Sequence, residues 1–226
     1  INSRQVIIKP ASSSTGGHAV LLSGKSYVWL EGIVIDASEP GLTADALKIQ
    51  TSSIGVKLTD MELRYATNQG LLVSVTSTGG TITGSYIHHN GTSAVTKTLW
   101  HGIYIEASNW LVEGNELAWN SQMGMQMYKS GGGNPSGGIS RRNYYHDNCQ
   151  GSHTGSNLVL SYQGNLSDRD VVVIGDECTT GISLANNTPT NNIVRHASIY
   201  CSDGSCSYGV SIQSTGVNNT VQNGVI

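Results

Sequence analysis

The chain has 226 residues, 38% of them hydrophobic and 12% charged, with a formal net charge of −3. That length can bury a full core in one long domain or two small ones. No basic run offers the clustered positive surface that phosphate binding needs, which argues against nucleic acid, and no apolar run approaches the roughly 20 residues that span a bilayer. Glycine is abundant at 28 residues and phenylalanine is absent, a composition of many turns and few long helices. There is no N-terminal Met and no signal-peptide pattern, so Ile1 reads as the start of a processed or partial chain, and residues 1–226 as one domain of a longer protein.

In chain order, Val6-Ile-Ile-Lys-Pro10 reads as a strand of an incomplete unit. After it one short phrase returns eight times: Ala19-Val-Leu-Leu22, Ala46-Leu-Lys-Ile49, Gly70-Leu-Leu-Val73, Gly102-Ile-Tyr-Ile105, Gly124-Met-Gln-Met127, Asn157-Leu-Val-Leu160, Gly181-Ile-Ser-Leu184 and Gly209-Val-Ser-Ile212. Its first apolar positions are 20, 47, 71, 103, 125, 158, 182 and 210. A second phrase follows, as in Trp29-Leu-Glu-Gly-Ile-Val-Ile35, Ile82-Thr-Gly-Ser-Tyr-Ile87, Val112-Glu-Gly-Asn-Glu-Leu117, Val194-Arg-His-Ala-Ser-Ile199 and Val221-Gln-Asn-Gly-Val-Ile226. Each is a short strand, a small or polar corner and another short strand. The repeat is therefore three strands joined by turns.

Strands this short, at such variable spacing, cannot form hairpins with the next phrase. They can stack on their own counterparts, coil above coil, as parallel sheets with aliphatic interiors and right-handed crossovers. Eight coils at about 4.8 Å give a rod roughly 40 Å long. The whole chain resembles right-handed parallel β-helix proteins of the pectin-lyase-like kind, on the strength of the Gly-apolar-x-apolar phrases and the Val-Glu-Gly-Asn-Glu-Leu corners. The expected fold is all-β, a single-stranded right-handed parallel β-helix of about eight coils.

Alternation assigns faces. Ile103 and Ile105 point inward and Tyr104 and Glu106 outward; Leu117 and Trp119 are expected inward. Coil alignment puts Ile35, Leu63, Ile87, Leu117, Tyr145 and Ile199 in one interior stack, and Tyr65, His89, Trp119, Asp147 and Cys201 at the next inward position. Asn90, Asn120 and Asn148 share a third-strand exit and read as a structural ladder, with Asn115 and Asn143 as a shorter one. Cys149 and Cys178 follow third strands of adjacent coils, at a spacing that suits a disulfide, and Cys201 and Cys206 bracket a turn. Both bonds, 149–178 and 201–206, are expected, and with them an oxidising, extracellular or cell-surface location. Sequons at Asn90, Asn165, Asn186 and Asn218 are read mostly as chance matches. Insertions at His88–Trp100, Lys129–Gly137 and Cys149–Ser156 flank the fourth and fifth coils, where loops on a rigid scaffold tend to bind.

The outward row of the first sheet is Lys48, Gln50, Ser74, Tyr104, Glu106, Gln126, Tyr128, Ser183, Ser211 and Gln213. A flat polar strip with two aromatics suits an extended sugar chain, with rings stacked on Tyr and amides bonded to hydroxyls; ordinary solvent-facing polarity explains it too. The resemblance implies that this sheet and its loops hold the substrate. Glu106 stands nearly alone, so the paired carboxylates of a hydrolase are not matched. The acidic groups Asp36, Glu39 and Asp45, and Asp168, Asp170, Asp176 and Glu177, lie away from the strip, so neither a metal nor another cofactor is expected. What survives is a lyase or epimerase that removes the proton α to a uronate carboxyl. Its base is expected among Lys48, His101 and Tyr104. Lys129, Arg141 or Arg142 would neutralise the carboxylate, and Glu106, Gln126 and Tyr128 would line the substrate. The alternative is a non-catalytic repeat protein of a surface, sheath or filament, capable of end-to-end self-association through its open coil ends.

Overall fold

The computed structural model describes residues 6–10, 17–38, 44–92, 100–129, 134–151, 155–175, 177–202, 204 and 206–226. Glu39 and Asp176, and most of the His88–Trp100 insertion, lie outside them. Every element among the described residues is a strand of three to five residues, or an isolated bridge, and all pair in parallel.

Sheet 1 stacks Val20–Ser23, Leu47–Gln50, Leu71–Val73, Ile103–Ile105, Met125–Met127, Ser156–Leu160, Thr180–Leu184 and Tyr208–Ile212. Sheet 2 stacks Trp29–Glu31, Lys57–Thr59, Thr81–Thr83, Leu111–Glu113, Ile139–Arg141, Leu166–Asp168, Ile193–Arg195 and Thr220–Gln222. Sheet 3 stacks Val6–Ile8, Ile33–Asp36, Glu62–Arg64, Tyr86–His88, Glu116–Ala118, Tyr144–His146, Val171–Ile174 and Ser198–Cys201. The chain visits sheets 1, 2 and 3 in turn, making about seven full turns of a single-stranded right-handed parallel β-helix, with a partial coil at each end.

Register aligns Val20, Leu47, Leu71, Ile103, Met125, Leu158, Ile182 and Val210 in one column, the eight phrase positions read from the sequence. From Leu47 to Ile182 these side chains are fully buried. Across the interior, sheet 3 supplies the column Ile35, Leu63, Ile87, Leu117, Tyr145, Val172 and Ile199, all buried. Such continuous aliphatic burial is the main force holding parallel coils together.

The glycine that opens the phrase answers to close approach. A Cβ on Gly102 would lie 2.6 Å from the Gly124 carbonyl and 2.7 Å from Asn120 Nδ2, and one on Gly70 would meet the Gly102 carbonyl and Asn90 Nδ2 at the same 2.7 Å. At these two corners, each backed by a ladder asparagine and the next coil's carbonyl, there is no room for a side chain.

Both asparagine ladders are present, and there is a third. Asn90 Nδ2 donates to Asn120 Oδ1 (3.0 Å), Asn120 Nδ2 to Asn148 Oδ1 (3.0 Å), and Asn148 Nδ2 to Asn157 Oδ1 (2.9 Å). Asn115 bonds Asn143 in the same way, and that ladder ends on Asp170. The third runs Asn165, Asn192, Asn219 at the corner between sheets 1 and 2. Amides of all three ladders also donate to backbone carbonyls of the preceding coil, among them those of Leu63, Ile87, Val112 and Tyr162, so the ladders satisfy groups at the corners. Cys149 is bonded to Cys178 and Cys201 to Cys206, with Cα separations of 5.2 and 5.9 Å.

The second inward row does not exist. Tyr65, His89, Trp119 and Asp147 have φ of 58°, 53°, 51° and 48°, the left-handed region. That bend swings their side chains off the core side, and Cys201 is exposed as well. Leu117 points inward as expected; Trp119 does not.

Candidate functional site

Sheet 1 presents two outward rows. One is Lys48, Leu72, Tyr104, Gln126, Val159, Ser183 and Ser211 by register. The other lies two residues further along each coil and includes Ser74, Glu106 and Tyr128. Leu72 and Val159 make the strip less polar than the sequence reading allowed. Gln126 and Ser183 are buried, and Tyr104, Glu106 and Tyr128 are half-buried polar groups at the middle of the strip.

Glu106 is half-buried. Burial pushes its carboxyl up, while Lys129 and Lys48 pull it back down, and the net shift is upward. Two cations and one carboxylate thus share the same stretch of sheet. Tyr104 stands two residues before Glu106. Burial raises its phenol strongly, with further contributions from Glu106, Tyr128 and Tyr162, so the hydroxyl keeps its proton through the working pH range. Tyr128 stacks on Tyr162 at 5.9 Å and 17° between planes. The Tyr162 hydroxyl donates to the Lys129 carbonyl and accepts from Asn187 Nδ2 at 2.8 Å, which holds the aromatic pair against the strip. Tyr162 has no place in the repeat phrase; its φ of 62° at a corner carries it there.

His101 lies beneath the strip. It is buried, stacks on Tyr104 at 5.4 Å, accepts the Met123 N–H at Nδ1 (3.3 Å) and hydrogen-bonds Gln126. Burial drives its pKa down to about 3, so it is a neutral imidazole whose ring nitrogens are both engaged. That makes it a support for Tyr104 and Gln126 rather than an open base. Arg141 is on sheet 2, not sheet 1. Its guanidinium grips Glu113 through Nε and Nη2 at 2.9 and 2.8 Å, within an outward column of Glu113, Arg141, Asp168 and Arg195. Arg142 bonds Glu113 too, at 3.0 Å. Both arginines are committed to this charged column, and the cations that act on Glu106 at sheet 1 are Lys129 and Lys48. Among the described residues no cluster of three or more metal-ligating side chains occurs.

Sheet 3 carries an outward array that the sequence does not single out by spacing alone. Tyr86 stacks on His88 at 3.9 Å and Tyr144 on His146 at 4.3 Å. His88 Nε2 meets Glu62 Oε1 at 3.2 Å, and His146 Nε2 meets Glu116 Oε1 at 3.0 Å. Burial together with Glu116, Glu62 and Tyr65 pushes Tyr86 up to about 12. The signal was the pair of phrases Tyr-Ile-His-His-Asn and Tyr-Tyr-His-Asp-Asn, each one coil after a Glu-Leu pair.

The fold defines a class: a right-handed parallel β-helix. No family model matches the chain, and no curated protein does. Among solved structures, the A-module of the mannuronan C-5 epimerase AlgE4 from Azotobacter vinelandii superposes with a TM-score of 0.73 at 14% identity. The match covers 96% of this chain and 57% of that one, so the chain spans little more than half of its neighbour's length. At that identity the likeness shows the fold.

Proposed function

We propose that this chain is an extracellular β-helix that binds and processes a uronate-containing polysaccharide along sheet 1, by lyase or epimerase chemistry. The observation that carries the reading is the grouping of a protonated phenol, Tyr104, with a half-buried carboxylate, Glu106, that feels two lysines. The epimerase neighbour acts on a polyuronate and supports the same substrate class.

Lys48 and Lys129 would offset the charge of a uronate carboxylate, which makes the proton on the adjacent carbon removable. The Glu106 carboxylate takes that proton, and the electron pair moves into the carboxyl group. Tyr104 then returns a proton. Delivered to the glycosidic oxygen as its bond to the sugar breaks, it completes a β-elimination; delivered to the same carbon from the opposite face, it completes an epimerisation. Tyr128, backed by Tyr162, is the stacking platform for a neighbouring ring, and Gln126 is held by His101 at the floor. Two disulfides fit an oxidising compartment.

Proton NMR of polymannuronate, polyguluronate and polygalacturonate incubated with the protein in D2O tests this. Deuterium at C5 or an unsaturated, ultraviolet-absorbing end group is expected with one of them. It should disappear in Tyr104→Phe and Glu106→Gln. A product that persists in both variants would remove the assignment.

A further inference from the structure

A cavity of about 420 Å³ opens at the corner between sheets 3 and 1, apart from the Tyr104 strip. Tyr65, His89 and Trp119 form one wall, and Thr92, Ser121 and Gln150 bring polar groups to it. The wall is a staircase made by three consecutive left-handed corners. His89 stacks on Trp119 at 5.3 Å and 28° between planes, and Tyr65 leans on His89 at 5.6 Å. It ends at Trp119, because the next corner holds Asp147, whose carboxylate is tied to His146 Nδ1 at 2.7 Å. Trp119 and Tyr65 remain more than a third exposed. Gly91 keeps the mouth open: a Cβ there would lie 2.5 Å from that of Ser121.

The imidazole in this wall has its tautomer set from behind. Glu62 is held as a carboxylate: burial raises its pKa, but hydrogen bonds from His88 and Arg64 (2.6 Å) outweigh that. His88 Nε2–H therefore donates to Glu62. Burial keeps His88 and His89 neutral, lowering both below the usual histidine value. The 2.7 Å contact between the two Nδ1 atoms then has His89 donating and His88 accepting. His89 Nε2 is left with a lone pair and no partner among the described residues. At the Tyr65 end of the wall, Arg64 sits 5.6 Å from the centre of the Tyr65 ring and is paired to Asp36 and Glu62.

We propose that this cavity is a second saccharide site, taking one or two pyranose rings of a chain against Trp119, with a sugar hydroxyl donating to His89 Nε2. Partly apolar walls, a few convergent polar groups and a volume within about 300–1,000 Å³ are what small-ligand sites share. A pyranose offers an apolar face for the indole and hydroxyl donors for an acceptor-only nitrogen. The ligand class rests on the polysaccharide reading; the site does not share its residues.

The test is NMR titration with a hexamannuronate and, separately, with cellohexaose, following the His89 Hε1 and Trp119 indole signals in the intact chain. Saturable shifts at both signals are expected with at least one sugar. Trp119→Ala and His89→Leu should weaken binding about tenfold each, while Trp119→Phe and His89→Gln, which keep a ring and an acceptor, should retain most of it. Tyr104→Phe should leave these shifts unchanged. If neither sugar moves the two signals, or the Ala and Leu variants bind as well as the parent, the proposal is wrong. Turnover lost only in Tyr104→Phe would separate that outcome from failure of the sheet 1 reading.

Discussion

Asp170 accepts both the backbone N–H and the side-chain amide of Asn143, at 2.9 and 3.1 Å, and so replaces an amide with an acid at the end of the Asn115–Asn143 ladder. Its other oxygen accepts from the Ser140 and Ser167 hydroxyls at 2.7 and 2.6 Å. Complete burial raises its pKa to about 6, against these four bonds, which lower it. A carboxyl whose folded pKa lies above its unfolded value stabilises the fold while protonated. That contribution is full below about pH 4 and lost as pH rises through about 6, an effect of about 3 kcal/mol at most. Asp170→Asn continues the ladder with a neutral group. It should raise the melting temperature at pH 7–8 and flatten the pH dependence of stability between 4 and 7, as followed by thermal or urea unfolding.

Asn120 accepts from the backbone and side chain of Asn90 and donates to the Ile87 carbonyl and Asn148. Asn120→Ala takes their partner from the buried Asn90 N–H and Ile87 carbonyl and breaks the ladder on both sides, and should cost about 3 kcal/mol in urea unfolding. The same burial governs the sequons. Asn90 and Asn165 are ladder members, 1% and 2% exposed. Expressed in a secretory pathway, the folded chain should carry no glycan at either position by peptide mass spectrometry.

Glu106 must be ionised to accept a proton. Since its pKa is raised, kcat should fall on acidification at a pH above the ordinary carboxylate range. Lys48→Ala removes one of the two charges that hold the pKa down, so the acid limb should move to higher pH while the remaining activity persists. Tyr104 stays protonated far into the alkaline range. Tyr104→Phe should therefore lower the rate at every pH without reshaping the profile.

Arg141 and Arg142 share Glu113, whose carboxyl is lowered first by the Arg141 hydrogen bonds. The cluster is largely solvent-facing, and salt screens such pairs. Arg141→Ala should lower the melting temperature slightly in low salt, and the difference should vanish in molar sodium chloride.

The coil register was legible because one signal is redundant: eight aliphatic pairs must all face one dry interior, and a slip of one residue would expose every one of them. Leu117 above Ile87 follows from period two alone. The disulfide between Cys149 and Cys178 and the Asn90–Asn120–Asn148 ladder follow from coil alignment. Alternation stops where the strand stops, and there the sequence reading lost its hold. Trp119 and His89 come two residues after an inward side chain, so period two sends them inward, but a left-handed φ at the corner turns them out. Aligning Asn143 with Asn115 sets Arg141 opposite Glu113 on sheet 2, away from the sheet 1 strip, but the sequence does not say that Glu113 captures it. His101 looks like a free base in the chain and becomes a buried support only when Gln126 and Met123 close on it. The sequence by itself thus determined the solenoid and the columns of its core, because burial acts on every coil alike. The tertiary structure alone decided which polar and aromatic side chains meet, because that depends on corner dihedrals and on neighbours a whole turn away.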